Sequence, residues 1–234
     1  MNLPRTLKIS DFCKTGSGGT PSRQMPIFYE NGTIPWVKSG ELRENVIIDT
    51  EEKITEEALQ KSSAKIVPKG ALLLAMYGAT VGRLAFLGIN AATNQAVCNI
   101  QPDENVCFTK YLYYALLTKV PEFLSMAAGG AQPNIGQSLI KDTKIPLPPL
   151  EEQKRIAAIL DKADAIRRKR QQAIDLTDQL LCSVFLDMFG DPVTNPKGWE
   201  VVKLAQFADV QGGLQLTSKR AGKPLEIPYL RVAN

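Results

Sequence analysis

Glu151-Glu152-Gln153-Lys154-Arg155-Ile156-Ala157-Ala158-Ile159-Leu160 opens a run that continues to Phe189 without a glycine or a proline. The preceding Ile145-Pro146-Leu147-Pro148-Pro149-Leu150 forbids a helix upstream and suits an entry point. Glu151 and Glu152 place negative charge in the first turn, where the helix dipole favours it. Gly190 fits the position just past the last turn, and Pro192 blocks continuation. The spacing predicts one helix from 151 to 189, roughly 58 Å long at 1.5 Å per residue. That is far longer than the usual three turns. Ile156, Ile159, Leu160, Ala163, Ile166, Ile174, Leu181 and Val184 recur close to a seven-residue repeat, with Leu180, Phe185 and Met188 beside them. Such a stripe calls for a partner helix. It is interrupted at Arg167-Arg168-Lys169-Arg170-Gln171-Gln172, where the seam turns polar.

Outward from the helix, composition excludes more than it assigns. The chain of 234 residues has no histidine, so neither a Ser-His-Asp nor a Cys-His mechanism is available. Cys13, Cys98, Cys107 and Cys182 show no Cys-x-x-Cys pairing and read as reduced thiols packed as small hydrophobes, as expected of a cytoplasmic protein. The N-terminal residues hold no apolar signal core, and no run approaches the ~18 apolar residues of a membrane span. A net charge of +4 is too balanced to announce nucleic-acid binding by itself. Within 41–57, however, Glu41, Glu44, Asp49, Glu51, Glu52, Glu56 and Glu57 face only Arg43 and Lys53. A polyanion partner would require that stretch to turn away from it.

The first 148 residues alternate irregularly between strand-like and helix-like runs, which suits an α+β domain. Ala71 to Met76 reads as a buried strand, with Gly82 to Leu87 and Ala96 to Gln101 as further strands. Ile34 to Lys38 alternates as another, and Thr55 caps a short helix. Thr109 to Ala128 is expected to be helical and to stop at Gly129-Gly130. Lys14 to Arg23, rich in glycine and hydroxyls, reads as an irregular loop that leaves Arg23 free to reach a phosphate or a base edge.

Past the long helix the pattern of the opening returns. Leu7-Lys8-Ile9-Ser10-Asp11-Phe12 matches Val202-Lys203-Leu204-Ala205-Gln206-Phe207, and Gly18-Gly19 matches Gly212-Gly213. Ile34-Pro35-Trp36-Val37-Lys38 matches Ile227-Pro228-Tyr229-Leu230-Arg231. A second copy of the first domain thus begins near Pro196, and the expectation is that it is cut short at Asn234.

Taken in order, Gly19-Thr20-Pro21-Ser22, Ile34 to Leu42, Tyr77-Gly78-Ala79-Thr80-Val81-Gly82, Thr93-Asn94-Gln95-Ala96, Gln132-Pro133-Asn134-Ile135 and Ile145 to Ala157 resemble the specificity subunit of type I DNA restriction–modification enzymes. The resemblance covers residues 1–190. It implies a target-recognition domain (1–148), a spacer helix (149–190) and the start of a second recognition domain (191–234). It further implies a non-catalytic subunit that reads one half of a bipartite site in double-stranded DNA. Two such helices would pair antiparallel as a ruler between the halves. Methyltransferase subunits would dock on this scaffold and bring S-adenosylmethionine, and a motor-nuclease subunit would bring ATP, so no cofactor is expected on this chain. With the internal partner helix missing, the long helix is expected to form a homodimer.

Base reading needs Arg, Lys, Asn or Gln in a groove, and motifs shared by readers of different sequences more naturally shape loops or hold phosphates. Arg23, Lys38, Tyr77, Thr80, Arg83, Asn94, Gln95, Gln132 and Asn134 are the residues expected at the DNA face. Two rivals remain: a coiled-coil interaction protein without DNA affinity, and a metal-dependent nuclease using Asp49, Glu51, Glu52 and Lys53.

Overall fold

Alternation within one apolar strand organises the first domain. In the computed structural model, which describes residues 5–44, 46–127 and 134–209, Leu72, Leu73, Leu74 and Ala75 are all fully buried. Successive strand side chains point to opposite faces. Leu72 and Leu74 therefore pack with Leu84, Ile100, Leu112, Leu116 and Phe123 on one side. Leu73 and Ala75 pack with Val37, Leu87, Ala91 and Val97 on the other. A strand covered on both faces has no polar positions to show, which is why 71–76 reads as a continuous apolar run.

The elements in chain order are β1 (Arg5–Lys8), α1 (Ile9–Phe12), β2 (Cys13–Ser17), β3 (Ile34–Val37), β4 (Val46–Ile47), β5 (Glu52–Ile54), α2 (Glu56–Lys61), β6 (Ile66–Val67) and β7 (Leu72–Ala75). They continue with β8 (Leu84–Leu87), β9 (Ala91–Thr93), β10 (Val97–Pro102), α3 (Thr109–Ala127), α4 (Gln137–Asp142), β11 (Lys144–Leu147) and α5 (Leu150–Phe189). One sheet has the order β2-β10-β7-β8-β4, the second β5-β3-β9-β6, and β1 pairs with β11. Helices α1, α3 and α4 contribute to the core on one face of the larger sheet, and the smaller sheet covers the other. A third cluster around Trp36, Phe28, Ile54 and Ala58 fills the outer side of the smaller sheet. The α+β class expected from the sequence is the class observed.

Several local expectations hold for the reasons that suggested them. The Thr55 hydroxyl accepts a hydrogen bond from the Ala58 amide at 3.2 Å, capping α2. Gly190 ends α5 at φ 79°, the left-handed conformation a glycine adopts without a Cβ penalty. Others need correction. Lys14 to Ser17 is not loop but part of β2, held by pairing with β10, and Asn99 Nδ2 donates to Gly16 O at 2.9 Å. Ala91–Thr93 and Glu52–Ile54, assigned no element from sequence, are strands of the smaller sheet. The Gly129-Gly130 stop lies outside the described residues.

Residues up to Gln171 form one compact unit and those from Gln172 a second. In the first, the opening turns of α5 dock on the recognition domain through Gln153 and Ala157, both buried. Gln153 Oε1 accepts from the Phe108 amide at 2.9 Å, and Nε2 donates to Val106 O at 3.0 Å and Pro148 O at 2.8 Å. Asp161 accepts from Lys110 Nζ at 2.5 Å and Tyr114 OH at 2.8 Å. Arg167 and Arg168 reach Glu44, the former its carboxylate at 2.9 Å and the latter its carbonyl at 2.6 Å. This face corrects one assignment on the stripe. Ile156, expected against a partner helix, is half-buried against the domain's own core, because it sits beside Gln153 and Ala157 on the docked side. Leu160 lines a cavity of about 270 Å³ with Tyr111, Tyr114 and Ile145. Ile159, Ala163, Ile166, Ile174, Leu181 and Val184 are exposed.

In the second unit, Trp199 Nε1 donates to Phe189 O at 2.7 Å and Lys197 Nζ to Met188 O at 2.9 Å, satisfying carbonyls at the helix end. Leu204–Gln206 forms a single 3-10 turn after Lys203. The matching Ile9–Phe12 forms a single turn after Lys8, with similar entry angles (φ −72°, ψ 149° at Lys8; φ −73°, ψ 137° at Lys203). The likeness extends to this one turn and its entry angle. Ile9 and Phe12 are buried, whereas Leu204 and Phe207 are exposed. Gly212-Gly213 and 227–231 lie outside the described residues.

Candidate nucleic-acid interface

Strand direction decides which loops meet. β10 runs antiparallel to both β2 and β7, and β8 antiparallel to β7. The C-terminal ends of β2 and β7 therefore share one end of the larger sheet with the N-terminal ends of β10 and β8. In the smaller sheet β3 and β9 are parallel, so their C-terminal ends lie together, and the chain passes directly from β9 into β10 through Asn94-Gln95-Ala96. All of the expected DNA-face residues that are described fall at this end. Gln132 lies outside the described residues.

Tyr77 follows β7, is partly exposed, and forms an isolated bridge with the exposed Asn134. Thr80 Oγ1 donates to Tyr77 O at 3.0 Å and closes the turn. Arg83 precedes β8, is exposed, and forms no ion pair among the described residues. Asn94 and Gln95 behave differently from each other. The Asn94 amide donates to Val37 O at 2.9 Å and ties the two parallel strands, while its Oδ1 is buried without a partner among the described residues. Gln95 is exposed and its Oε1 accepts from the Thr20 hydroxyl.

The glycines before Thr20 explain how the loop is pinned. A Cβ on Gly18 would lie 1.9 Å from Thr93 O, and one on Gly19 would lie 2.2 Å from Ser63 Oγ. Their absence lets Gly19 N donate to Thr93 O at 2.9 Å, and Gly19 O accept from Trp36 Nε1 at 3.0 Å. Tyr29 OH holds Pro21 O at 2.6 Å. The glycines of this stretch therefore shape the loop.

Arg23 is not the free arm expected from a glycine-rich loop. Its Nη1 lies 2.6 Å from Glu52 Oε2, and its guanidinium carbon stands 4.3 Å from the Tyr29 ring centroid and 5.3 Å from that of Trp36. Lys38 Nζ sits 2.8 Å from Glu52 and 3.0 Å from Glu51. Hydrogen bonding from Arg23, then from Lys38, holds the Glu52 carboxyl down at about 2. Glu51 and Glu52 thus share this end with the cations and do not turn away from it. The cause is pairing of β5 with β3, which sets Glu52 opposite Trp36. Sequence separation hid Glu52 and Tyr29 as site residues; the signal available was Trp36 and Lys38 on one strand face.

The three carboxylates and the lysine offered as a nuclease centre do not assemble one. Asp49 pairs with Lys53 at 3.4 Å, Glu51 and Glu52 with Lys38, and no metal-holding cluster of three occurs among the described residues. Cys98 and Cys107 are buried thiols raised to about 12 by burial, packing as hydrophobes. No helix among the described residues is long and apolar enough to cross a membrane.

Against known proteins, residues 5–176 match the family described as the type I restriction modification DNA specificity domain. The chain belongs to that family. Among curated relatives of this specificity-domain protein, the MjaIX specificity subunit of Methanocaldococcus jannaschii is 31% identical over 96% of this chain and 56% of its own length. The EcoR124I/EcoR124II specificity subunit of Escherichia coli is 31% identical over 68% of this chain and 40% of its own. The specificity-domain chain spans about half the length of the curated relatives it matches. In fold it resembles the HsdS subunit from Thermoanaerobacter tengcongensis (TM-score 0.57, 23% identity, 74% of this chain and 41% of that one). It also resembles a chain from a study of complex assembly in a type I system (TM-score 0.62, 22% identity, 79% and 45%).

Proposed function

We propose that the recognition domain reads one half of a bipartite site in double-stranded DNA, using the sheet end that gathers Arg23, Lys38, Tyr77, Thr80, Arg83, Gln95 and Asn134. The observation that carries this reading is their convergence. They come from separate segments of sequence, yet strand direction delivers them to one end. In this arrangement the Gly18-to-Pro21 and Tyr77-to-Thr80 turns are rigid supports, while Arg23, Arg83, Gln95 and Asn134 supply groove chemistry. The long helix spaces this reader from a second one and scaffolds methyltransferase subunits. S-adenosylmethionine and ATP belong to methyltransferase and motor-nuclease partners, and this chain carries out no chemistry. The exposed positions Ile159, Ile166, Ile174, Leu181 and Val184 support pairing with another such helix, which for two copies of this chain gives an antiparallel homodimer.

The test is selection from randomised duplexes by the full chain with its methyltransferase partner. A preferred sequence block supports the reading. Absence of binding to any duplex at low salt, with the partner present, favours a coiled-coil interaction protein instead.

A further inference from the structure

At the sheet end two cations meet two anions. Arg23 and Lys38 are each bonded to Glu52, and Lys38 also to Glu51, so the four charges cancel. A generic phosphate anchor needs unopposed positive charge, since affinity for the DNA backbone follows the number of phosphates neutralised. Here an approaching phosphate meets carboxylates as near as the cations. A base edge is different. Guanine offers two neutral acceptors, N7 and O6, spaced for a guanidinium fork, and a nearby carboxylate does not repel them.

The Arg23 side chain is built for such a task. One nitrogen is committed to Glu52, the planar group is stacked on Tyr29 and beside Trp36, and both aromatic rings are themselves fixed by hydrogen bonds to the loop. The side chain nevertheless remains 54% exposed, so the rest of its donor fork is accessible. Holding a fork in place before binding removes the entropy cost of ordering a long side chain. Glu52 is itself fixed, because its backbone pairs with Trp36 in the sheet.

We propose that Glu52 is a specificity-determining residue of this end: it orients Arg23 as the reader of a guanine edge and, with Glu51, denies Arg23 and Lys38 to the phosphate backbone. This rests on the reading of the sheet end as the DNA face.

Three variants of the full chain, assembled with its methyltransferase partner, test it in selections from randomised duplexes and in titrations with one fixed duplex lacking the selected site. Arg23→Ala loses preference for guanine at a single position by roughly tenfold or more. Arg23→Lys does not restore it, since an ammonium keeps the charge but not the fork. Glu52→Gln, which preserves shape, weakens preference at that same position while raising affinity for the fixed duplex severalfold and steepening its salt dependence. Equal loss on selected and fixed duplexes in Arg23→Ala makes Arg23 a phosphate anchor and overturns the proposal. Full rescue of the guanine preference by Arg23→Lys shows that no fork held by Glu52 is needed and overturns it too. Unchanged or reduced affinity of Glu52→Gln for the fixed duplex also overturns it. If the wild-type complex selects no sequence at all, the reading of this end fails first and the role of Glu52 falls with it.

Discussion

Glu52 Oε2 and Arg23 Nη1 stand 2.6 Å apart, joining a loop before β3 to the strand that pairs with β3. The contact makes stability depend on pH in a defined window. Glu52 titrates at about 2 in the folded chain against an ordinary 4.5, so its contribution is fully present above about pH 4.5 and is lost as pH falls toward 2. Denaturant midpoints measured from pH 6 downward should decline through that window, and Glu52→Gln should flatten part of the decline. Parallel profiles for the two proteins would contradict the assignment.

The buried Gln153 ties the spacer helix to its domain with three hydrogen bonds. Gln153→Leu keeps the volume but strands the Phe108 amide and the carbonyls of Val106 and Pro148. Each polar group left buried without a partner costs about 1–3 kcal/mol. Urea unfolding should show a loss of at least that size; a midpoint within error of wild type would show that water replaces the side chain.

Gly18 has no room for a side chain against Thr93 O. Gly18→Ala should destabilise by about 1–3 kcal/mol through backbone displacement. It should also shift Thr20 away from Gln95, weakening DNA binding beyond the stability loss. Unaltered thermal unfolding and unaltered affinity would mean the loop moves freely.

Ile159 and Leu181 are more than half exposed, so Ile159→Asp and Leu181→Asp should leave the stability of the monomer within about 0.5 kcal/mol. Both should abolish self-association through α5, because a carboxylate buried in an apolar seam is costly. Sedimentation at tens of micromolar reads the difference. Wild-type protein that stays monomeric there, or variants that associate equally well, would remove the seam.

What was legible in the sequence followed from local physics. Pro148-Pro149 and Gly190 marked α5 to within a residue, and the run 71–76 declared a buried strand. Fold class and family were legible too. β2 and β5 were not, because Lys14, Thr15, Gly16 and Glu52, Lys53 have no strand-like pattern and are held by partner strands. Tertiary pairing also decided the site. Arg23 reads as a free loop cation until β5 brings Glu52 beside it, and Ile156 reads as seam until Gln153 commits that side of α5 to the domain. The convergence of Tyr77, Arg83, Gln95 and Asn134 depends on strand direction, which spacing along the chain does not encode.

The most direct test of the proposed DNA face places a photo-crosslinking side chain at Thr80, and separately at Lys14, which pairs with Gln101 toward the opposite end of the larger sheet. With the assembled complex on its selected duplex, crosslinks to DNA should form from position 80 and not from 14. Crosslinking from position 14 with none from 80 would contradict the account.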